Sequence, residues 1–563
     1  MQWQSKPVPN TELVQELAKS LSIPLPIAIL LAQRGIENFD QAKTFFRPDW
    51  EQLHDPLLMK DMERAVERIH LAKTKQEKVM VFGDYDVDGT TSVALMTSFL
   101  RAQLSNVLPY IPDRYNEGYG VSIQGIDHAY SKGITLIIAL DCGVKAIEKV
   151  AYAKEKGIDF IICDHHLPGA TLPQAYALLD PKRSDCDYPF KELCGCGVGF
   201  KLIQALTDFW ELPKEDLFPY LDLVATAIAA DIVPIVGENR VLCFFGLIKL
   251  THSPREGIKA LLQTLKKPPS ITDLVFRVAP RINAAGRMDH ALKAAELLLT
   301  QTAQEATEKA ASIEQFNTER RATDEQITKE ALEQIEARGE HDFPASVVYS
   351  DHWHKGVVGI VASRVIETYY RPTVVLTRSG KQFVGSVRSV SGFDVYLALE
   401  ACSSYMVQFG GHKYAAGLTL SEDQLEGFKK CFEEEVEKRI TEEQKTPRLV
   451  YDLEIPTDEI TPKLYRIIEQ MAPFGPQNMR PVFVSRGCTD NGGTALIGKE
   501  HSHLCVGIQT SQGSLNGIAF NQAEYYPQIK KGIPFSIAYS LDENEWNGVK
   551  SLQLKIRAIE IEQ

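Results

Sequence analysis

Three aspartates alternate in the stretch FGDYDVDGTTS, residues 82–92: Asp84, Asp86 and Asp88, followed at once by Gly89. Alternating carboxylates closed by a glycine are how an EF-hand calcium loop begins. Such a loop needs a bidentate Glu at its twelfth position and a helix on each side. Counted from Asp84, the twelfth position is Leu95, which cannot ligate. The preceding KVMVF, residues 78–82, is a Val-rich apolar run of the buried-strand type. The following TTSVALMTSFLRAQ reads as a helix with a Thr N-cap. Strand, acidic turn and helix make half a βαβ unit. The carboxylates are then either a solvated turn or one part of a larger ligand set.

Further candidate ligands stand at the same kind of place. The apolar run TLIIAL, residues 135–140, leads to Asp141, and DFIIC, residues 159–163, leads to Asp164, His165 and His166. The helical stretch LDLVATAIAA leads to Asp231. Parallel strands bring their C-terminal ends to one edge, where α/β sheets bind ligands. These Asp and the two His then converge, and carboxylates so gathered need cations to offset their repulsion. One Asp after a strand is as well explained as a helix cap. Four such coincidences at successive element ends are not. Asp oxygens with one or two imidazoles suit Mn²⁺ or Mg²⁺ rather than structural Zn²⁺.

The elements that must position these residues fall into several units. The chain has 563 residues, 44% of them hydrophobic, enough for three or four cores. Residues 1–55 read as a helical, Pro-punctuated arm, and 56–300 as strands alternating with helices, hence a parallel α/β sheet. IEKVAYAKEKG reads as a crossover helix ending at Gly157. Residues 287–338 hold no Gly or Pro, so 301–341 is expected to be a long connecting helix. A second α/β unit over 342–446 contains the runs ASVVYS, GVVGIVASRVIETYY, TVVLT and FVGSVRS. From 447 to 563 about five short strands, RLVYDLEI, PVFVS, LCVGIQT, SLNGIAF and SLQLKIRAIEIE, suggest a small barrel of OB type. The expected fold class is therefore α/β with a C-terminal β-barrel.

Composition excludes some classes. The apolar run IPLPIAILLA is too short to span a bilayer and holds two prolines. Ten cysteines without CxxC spacing read as reduced thiols in a cytoplasmic protein; Cys194 and Cys196 in CGCGVG form neither a zinc framework nor a disulfide. The net charge of −13 argues against a protein that coats nucleic acid. Residues 254–287 nevertheless carry seven Lys or Arg against two acids, so a local anionic partner stays open. The pattern GxxxxGK[ST] does not occur, which speaks against an NTP-driven motor.

DHH after an apolar strand, with DYDVDG upstream, resembles the DHH phosphoesterase superfamily. GGHKYAAG, residues 410–417, resembles the glycine-rich motif of its DHH-associated domain. APRINAAGRM (279–288) and HKGVVGIVASR (354–364) are similar to the superfamily's single-strand-specific exonucleases, and the likeness covers roughly 55–563. It implies a 5′ to 3′ exonuclease that releases 5′-mononucleotides by two-metal hydrolysis, in recombination and mismatch repair. The implied partners are single-stranded DNA, a single-strand-binding protein and a RecQ-type helicase, with a monomeric enzyme and no membrane. By position, Asp84 and Asp86 would hold one ion, Asp88, His165 and Asp231 the other, and Asp141 would bridge. His166 would face the substrate phosphate, and Asp164 would orient the histidines. Where the superfamily's pyrophosphatases place a His before the acidic pair, this sequence has Asp84.

The second half would supply phosphate contacts. Arg281, Asn283 and Arg287 in RINAAGR are spaced for a turn that forks onto phosphates; surface arginines are the plain alternative. His354 either caps its loop or completes the site. Ser386, Arg388, Ser389, Gly410, Gly411 and His412 would form a phosphate pocket with Gly-rich backbone N–H groups. Arg114 and Tyr119, in IPDRYNEGYGVS, would contact the backbone and stack a base. A small-nucleotide DHH phosphodiesterase and a non-catalytic DNA-binding scaffold are the rival functions. The first is generally shorter and lacks RINAAGR and the barrel; the second has lost ligands that are all present here.

Overall fold

The protein is described as a computed structural model comprising residues 1–511, 513–546 and 548–562. Its first sheet has five parallel strands, Val79–Gly83, Val107–Tyr110, Leu136–Leu140, Asp159–Cys163 and Ala177–Leu179. The second strand lies outside the first, and the third, fourth and fifth follow on its other side. This is a doubly wound order whose switch point falls between Val79–Gly83 and Leu136–Leu140. The three strands Val79–Gly83, Leu136–Leu140 and Asp159–Cys163 are nearly continuous apolar runs because both faces are covered. Val79, Val81, Leu136, Ile138 and Ile161 pack into the core shared with helices Val87–Arg101, Gly195–Phe209 and Leu221–Asp231. The alternate residues Met80, Phe82, Ile137, Ala139 and Ile162 pack against helices Ile123–Ser131 and Ile147–Glu155.

The helix Ala303–Ala337, 35 residues and about 52 Å long, links two cores. Ala306, Ala310 and Ile313 near its start belong to the first core. Ile327, Ala331 and Ile335 near its end belong to a second, under helix Val358–Thr368. The second unit is a mixed sheet in the order Gln408–His412, Ala415–Ser421, Gln382–Arg388, Thr373–Ser379, Ser346–Ser350. Helix Val358–Thr368 covers one face, and Val395–Ala401 with Leu425–Arg439 covers the other.

Three expectations are corrected. The helix after the acidic turn starts at Val87, not at the threonines: Asp86 is its N-cap and accepts from Gly89 N at 3.0 Å. RINAAGR is not a turn but lies in helix Ala279–Met288, entered through a π-helical turn, Leu274–Val278. The C-terminal module is a seven-stranded sheet rather than five strands. Its largest pair, Phe535–Trp546 with Val549–Ile561, is a long antiparallel hairpin, and Arg448–Tyr451 leaves the module to pair in parallel with Gln2–Ser5. The sheet is OB-like without closing into a barrel among the described residues.

The N-terminal helices Thr11–Leu21, Leu25–Ala32 and Phe39–Phe46 pack on this C-terminal module: Ile27, Leu30, Leu31 and Ala42 share a core with Ile455, Leu464 and Phe483. Arg240, buried on helix Gly237–His252, clamps the first unit to both, donating to the carbonyls of Phe45, Met471 and Ala472 at 2.9–3.1 Å. Among the described residues no single helix is long and apolar enough to cross a membrane. Arg240→Ala leaves several buried carbonyls unpaired, at a cost of roughly 2–5 kcal/mol. Expected is a lower melting temperature with faster proteolysis near residues 45 and 472; an unchanged digestion pattern contradicts the clamp.

Candidate metal centre and active site

All four acidic element ends converge at the switch point. Asp84, Asp86 and Asp88 follow the first strand, Asp141 the third, and Asp164, His165 and His166 the fourth. Asp231 arrives on the last residue of helix Leu221–Asp231. His165 Nε2 lies 3.2 Å from Asp141 Oδ1, 3.6 Å from Asp231 Oδ2 and 3.9 Å from Asp88 Oδ2. Two sets, Asp88–His165–Asp231 and Asp141–His165–His166, offer ligand atoms within 4.8 Å of one another.

The backbone is bent to achieve this. Asp141 has φ +59° and Ile232, just after Asp231, has φ +60°. Left-handed backbone at a non-glycine residue, and above all at a β-branched one, costs of order 1–3 kcal/mol and clusters at functional sites. Gly89 and Gly195 are required by close approach. A Cβ on Gly89 would lie 2.4 Å from Asp84 O, and one on Gly195 2.5 Å from Asp141 Cβ. The run CGCGVG is thereby explained. It begins helix Gly195–Phe209, and its Gly195 and Cys196 N–H groups donate to the two Asp88 oxygens at 2.6 and 2.8 Å. A glycine-rich helix N-terminus is an anion site; that signal was present in the sequence, where only the thiols drew a reading.

The donor set fits divalent cations. Both His165 ring nitrogens, Asp84 Oδ2 and Asp231 Oδ2 are buried without a hydrogen-bond partner among the described residues. Burial and then the neighbouring Asp86 push Asp84 up to about 8 and Asp88 up to about 7. Burial and then Asp88 push Asp231 up to about 8, and raise Asp141 well above the carboxylate range. Burial and then His166 push His165 down to about 3, so it is a neutral imidazole with a lone pair to offer. Asp164 is differently engaged. Its carboxylate accepts from the His165 and His166 N–H groups, from Val144 N and from His166 Nδ1 at 2.7 Å. Burial opposes the His166 charge, but the bond to Asp164 outweighs it and raises the imidazole. The other ring nitrogen, Nε2, is 3.2 Å from the exposed Tyr119 hydroxyl.

Beside the acids stands a group of arginines, of which Arg114 acts on Asp84. Arg114 lies over the ring of Tyr85, 4.8 Å from its centroid, and Tyr85 also meets Tyr119 edge-on. Burial and then the charges of Arg114, Arg320 and Arg388 push Arg287 down to about 10. Burial and then Arg114 lower Arg388. These arginines crowd one another as the aspartates do. Arg388 Nη1 is held by Ser386 Oγ at 2.7 Å, and Gly359 leaves room for it, since a Cβ there would be 2.8 Å from Nη2. Gly410 and His412 stand on the same sheet face, on strand Gln408–His412, with strand Ala415–Ser421 between it and that of Arg388. Gly411 has φ +152° and admits no Cβ.

Other expected contacts are spent within the protein. Arg281 donates to Glu314 and to Arg277 O, and Ser389 Oγ donates to Phe393 O at 2.9 Å. Asn283 is half-buried on the helix of Arg281. Arg287 Nη1 donates to Gly356 O at 2.7 Å, and Tyr115 Oη to Arg287 O, so these two residues lock the 354–356 loop against the first unit. His354 caps that loop, accepting from Gly356 N at 3.1 Å, and stacks edge-on against Tyr115. Tyr85, Tyr115 and Arg320 were not singled out from sequence.

Because the aspartates titrate far above their unfolded values, the metal-free folded protein binds more protons than the unfolded chain. Its stability then falls as pH rises from about 4 towards about 8. A cation that replaces those protons therefore stabilises most at the upper end. Expected is a rise in melting temperature with Mn²⁺ that is larger at about pH 8 than at about pH 6 and is mostly lost in Asp88→Asn. An equal rise at both pH values contradicts the assignment.

Comparison with known proteins agrees with this arrangement. Residues 78–228 match the DHH family, N-terminal domain; 343–438 match the DHHA1 domain; 451–558 match the RecJ OB domain. The single-stranded-DNA-specific exonuclease RecJ of Bacillus subtilis is 37% identical over 99% of this chain and 70% of its own length. The crystal structure of RecJ in complex with Mn²⁺ from Thermus thermophilus superposes with a TM-score of 0.86 at 26% identity, covering 100% of this chain and 80% of that one. The corresponding Mg²⁺ complex gives 0.79 at 25% identity, covering 100% and 79%. With the three domains in order and the likeness running along nearly the whole sequence, the chain belongs to the RecJ family of single-stranded-DNA-specific exonucleases.

Proposed function

We propose that the protein is a single-stranded-DNA-specific exonuclease that hydrolyses from the 5′ end and releases 5′-mononucleotides with two Mn²⁺ or Mg²⁺ ions. The observation that carries this reading is the meeting of buried aspartates and histidines with a group of arginines. His165 Nε2 lies within 4 Å of Asp88, Asp141 and Asp231, and Arg114 acts on Asp84 as well as on Arg287 and Arg388. A phosphodiester chain with bound cations answers both.

Asp84 and Asp86 would hold one ion, Asp88, His165 and Asp231 the other, with Asp141 between them. Bound there, the two ions would activate water and offset charge on the phosphate. The remaining work falls to the chain itself. Asp164 fixes His166 through Nδ1, which leaves Nε2, beside the exposed Tyr119 hydroxyl, to donate to a phosphate oxygen. Arg114, braced on Tyr85, holds the backbone phosphate next to the acids. Arg388, steadied by Ser386, takes the terminal phosphate bidentately. A terminal phosphate held one nucleotide beyond the acids makes the cut exonucleolytic.

The C-terminal OB-like module favours a polymer over a small nucleotide, since stacking is worth about 1–3 kcal/mol per base. The complete acidic set favours catalysis over a scaffold role. Cytoplasmic location, action as a monomer in recombination and mismatch repair, and work beside a single-strand-binding protein and a RecQ-type helicase belong to the same reading through the family.

Expected of Arg388→Ala is at least a tenfold loss on 5′-phosphorylated single strands, with the preference over 5′-hydroxyl ends largely abolished; one good bidentate contact of about 1.4 kcal/mol or more corresponds to that factor. Circular single strands resist the wild type. Rapid cutting of circles, or an Arg388→Ala enzyme with its end preference intact, contradicts the reading.

A further inference from the structure

The second sheet continues beyond Arg388 into two strands rich in small residues. Gly410 is opposite Gly417, which is opposite Ser386; Gln408 is opposite Thr419; His412 is opposite Ala415, which is opposite Arg388. Residues directly opposite in a sheet share a face. Gln408, Gly410, Gly417 and Thr419 thus share the face of Ser386 and Arg388. Helix Val358–Thr368 covers that face beside Arg388, where Gly359 meets Ser386 and Arg388. Past the helix, the face is open. Gly410 and Gly417 are exposed. A Cβ on Gly410 would meet nothing within 4 Å, and one on Gly417 only Gly385 O, at 3.8 Å.

The result is an open cavity of about 410 Å³ lined by Gly385, Gln408, Phe409, Gly410, Gly417, Leu418 and Thr419. Neither Gly410 nor Gly417 has the positive φ that demands glycine. Glycine weakens a strand and often marks close approach of a ligand. Here it leaves a flat floor of bare peptide planes. At the floor's rim stand one amide and one hydroxyl, Gln408 Nε2 and Thr419 Oγ1, 3.4 Å apart. A flat floor with a rim of mixed donors and acceptors suits a planar heterocycle with polar edges. The size is within the range of small-ligand pockets, about 300–1,000 Å³.

We propose that this trough seats the base of the 5′-terminal nucleotide, the one whose phosphate Arg388 binds. The proposal rests on the end-binding reading above. A Gln amide carries both donors and an acceptor and turns about its last torsion to suit different bases. The trough therefore demands a base without choosing among the four, as an exonuclease that advances through any sequence requires.

The test compares 5′-phosphorylated single strands ending in an ordinary nucleotide with strands ending in an abasic tetrahydrofuran residue. For the wild type, kcat/KM is expected to favour the base-bearing end by about tenfold or more. In Gly417→Val the ratio is expected to fall towards one. A valine suits an open strand position, and a thermal melt checks that the variant is folded. Gln408→Ala, which leaves the floor intact, lowers the ratio by a smaller factor. A wild-type ratio of one overturns the proposal, as does a folded Gly417→Val enzyme that keeps the full ratio. The same strands with 5′-hydroxyl ends separate the two layers of the argument. Indifference of the wild type to the phosphate defeats the end-binding reading and the trough with it. A phosphate preference without a base preference defeats the trough alone.

Discussion

The structure depends on one unfavourable interaction, the mutual repulsion of carboxylates gathered in a nearly dry pocket. Two unit charges about 4 Å apart interact by about 4 kcal/mol at an effective dielectric of about 20, and Asp88, Asp141 and Asp231 all approach one imidazole within 4 Å. Without cations the chain answers by holding protons on acids that would otherwise be ionised. Much of the first unit can be understood as the means of forcing this gathering. The doubly wound order places two acidic strand ends side by side. Left-handed backbone at Asp141 and Ile232 turns two ligands inward. The helix N-terminus at Gly195 supplies two N–H groups that favour the ionised form of Asp88.

A second repulsion mirrors the first. Burial and then the charges of Arg114, Arg320 and Arg388 lower Arg287, and burial and then Arg114 lower Arg388. The unit that carries Arg388 is joined to the one that carries Arg114 and Arg287 by the long helix Ala303–Ala337, rooted in both cores. Its buried Asp324 bonds Arg320 on the same helix and Arg364 on the neighbouring one, both at 2.7 Å. Arg287 and Tyr115 then lock the 354–356 loop. The helix rooted in both cores thus ties the unit that carries the aspartates to the one that carries Arg388.

How legible this was in the sequence follows from how local each signal is. The acidic residues at strand ends were readable because an apolar run followed by Asp needs only a few residues to be seen. Parallel topology then forces the ends together. The long helix was readable from the absence of Gly and Pro between residues 287 and 338. The start of helix Val87–Arg101 was misplaced because Asp86 serves as cap and candidate ligand together. RINAAGR looked like a turn because of its Asn and Gly, whereas Gly286 lies within a helix packed against Tyr85. The pairing of Gln2–Ser5 with Arg448–Tyr451 joins segments more than four hundred residues apart, which no local pattern encodes. The arginines that are spent internally, such as Arg281, differ from Arg388 only in their three-dimensional neighbours.

In the proposed reading the aspartate–histidine cluster holds a pair of divalent cations that share ligands. Electron paramagnetic resonance of the protein titrated with Mn²⁺ distinguishes such a pair from a single ion. Two tightly bound ions per chain with an exchange-coupled spectrum, lost in His165→Ala, is the predicted result. A single uncoupled ion at saturation, or a coupled pair that survives His165→Ala unchanged, would contradict the account.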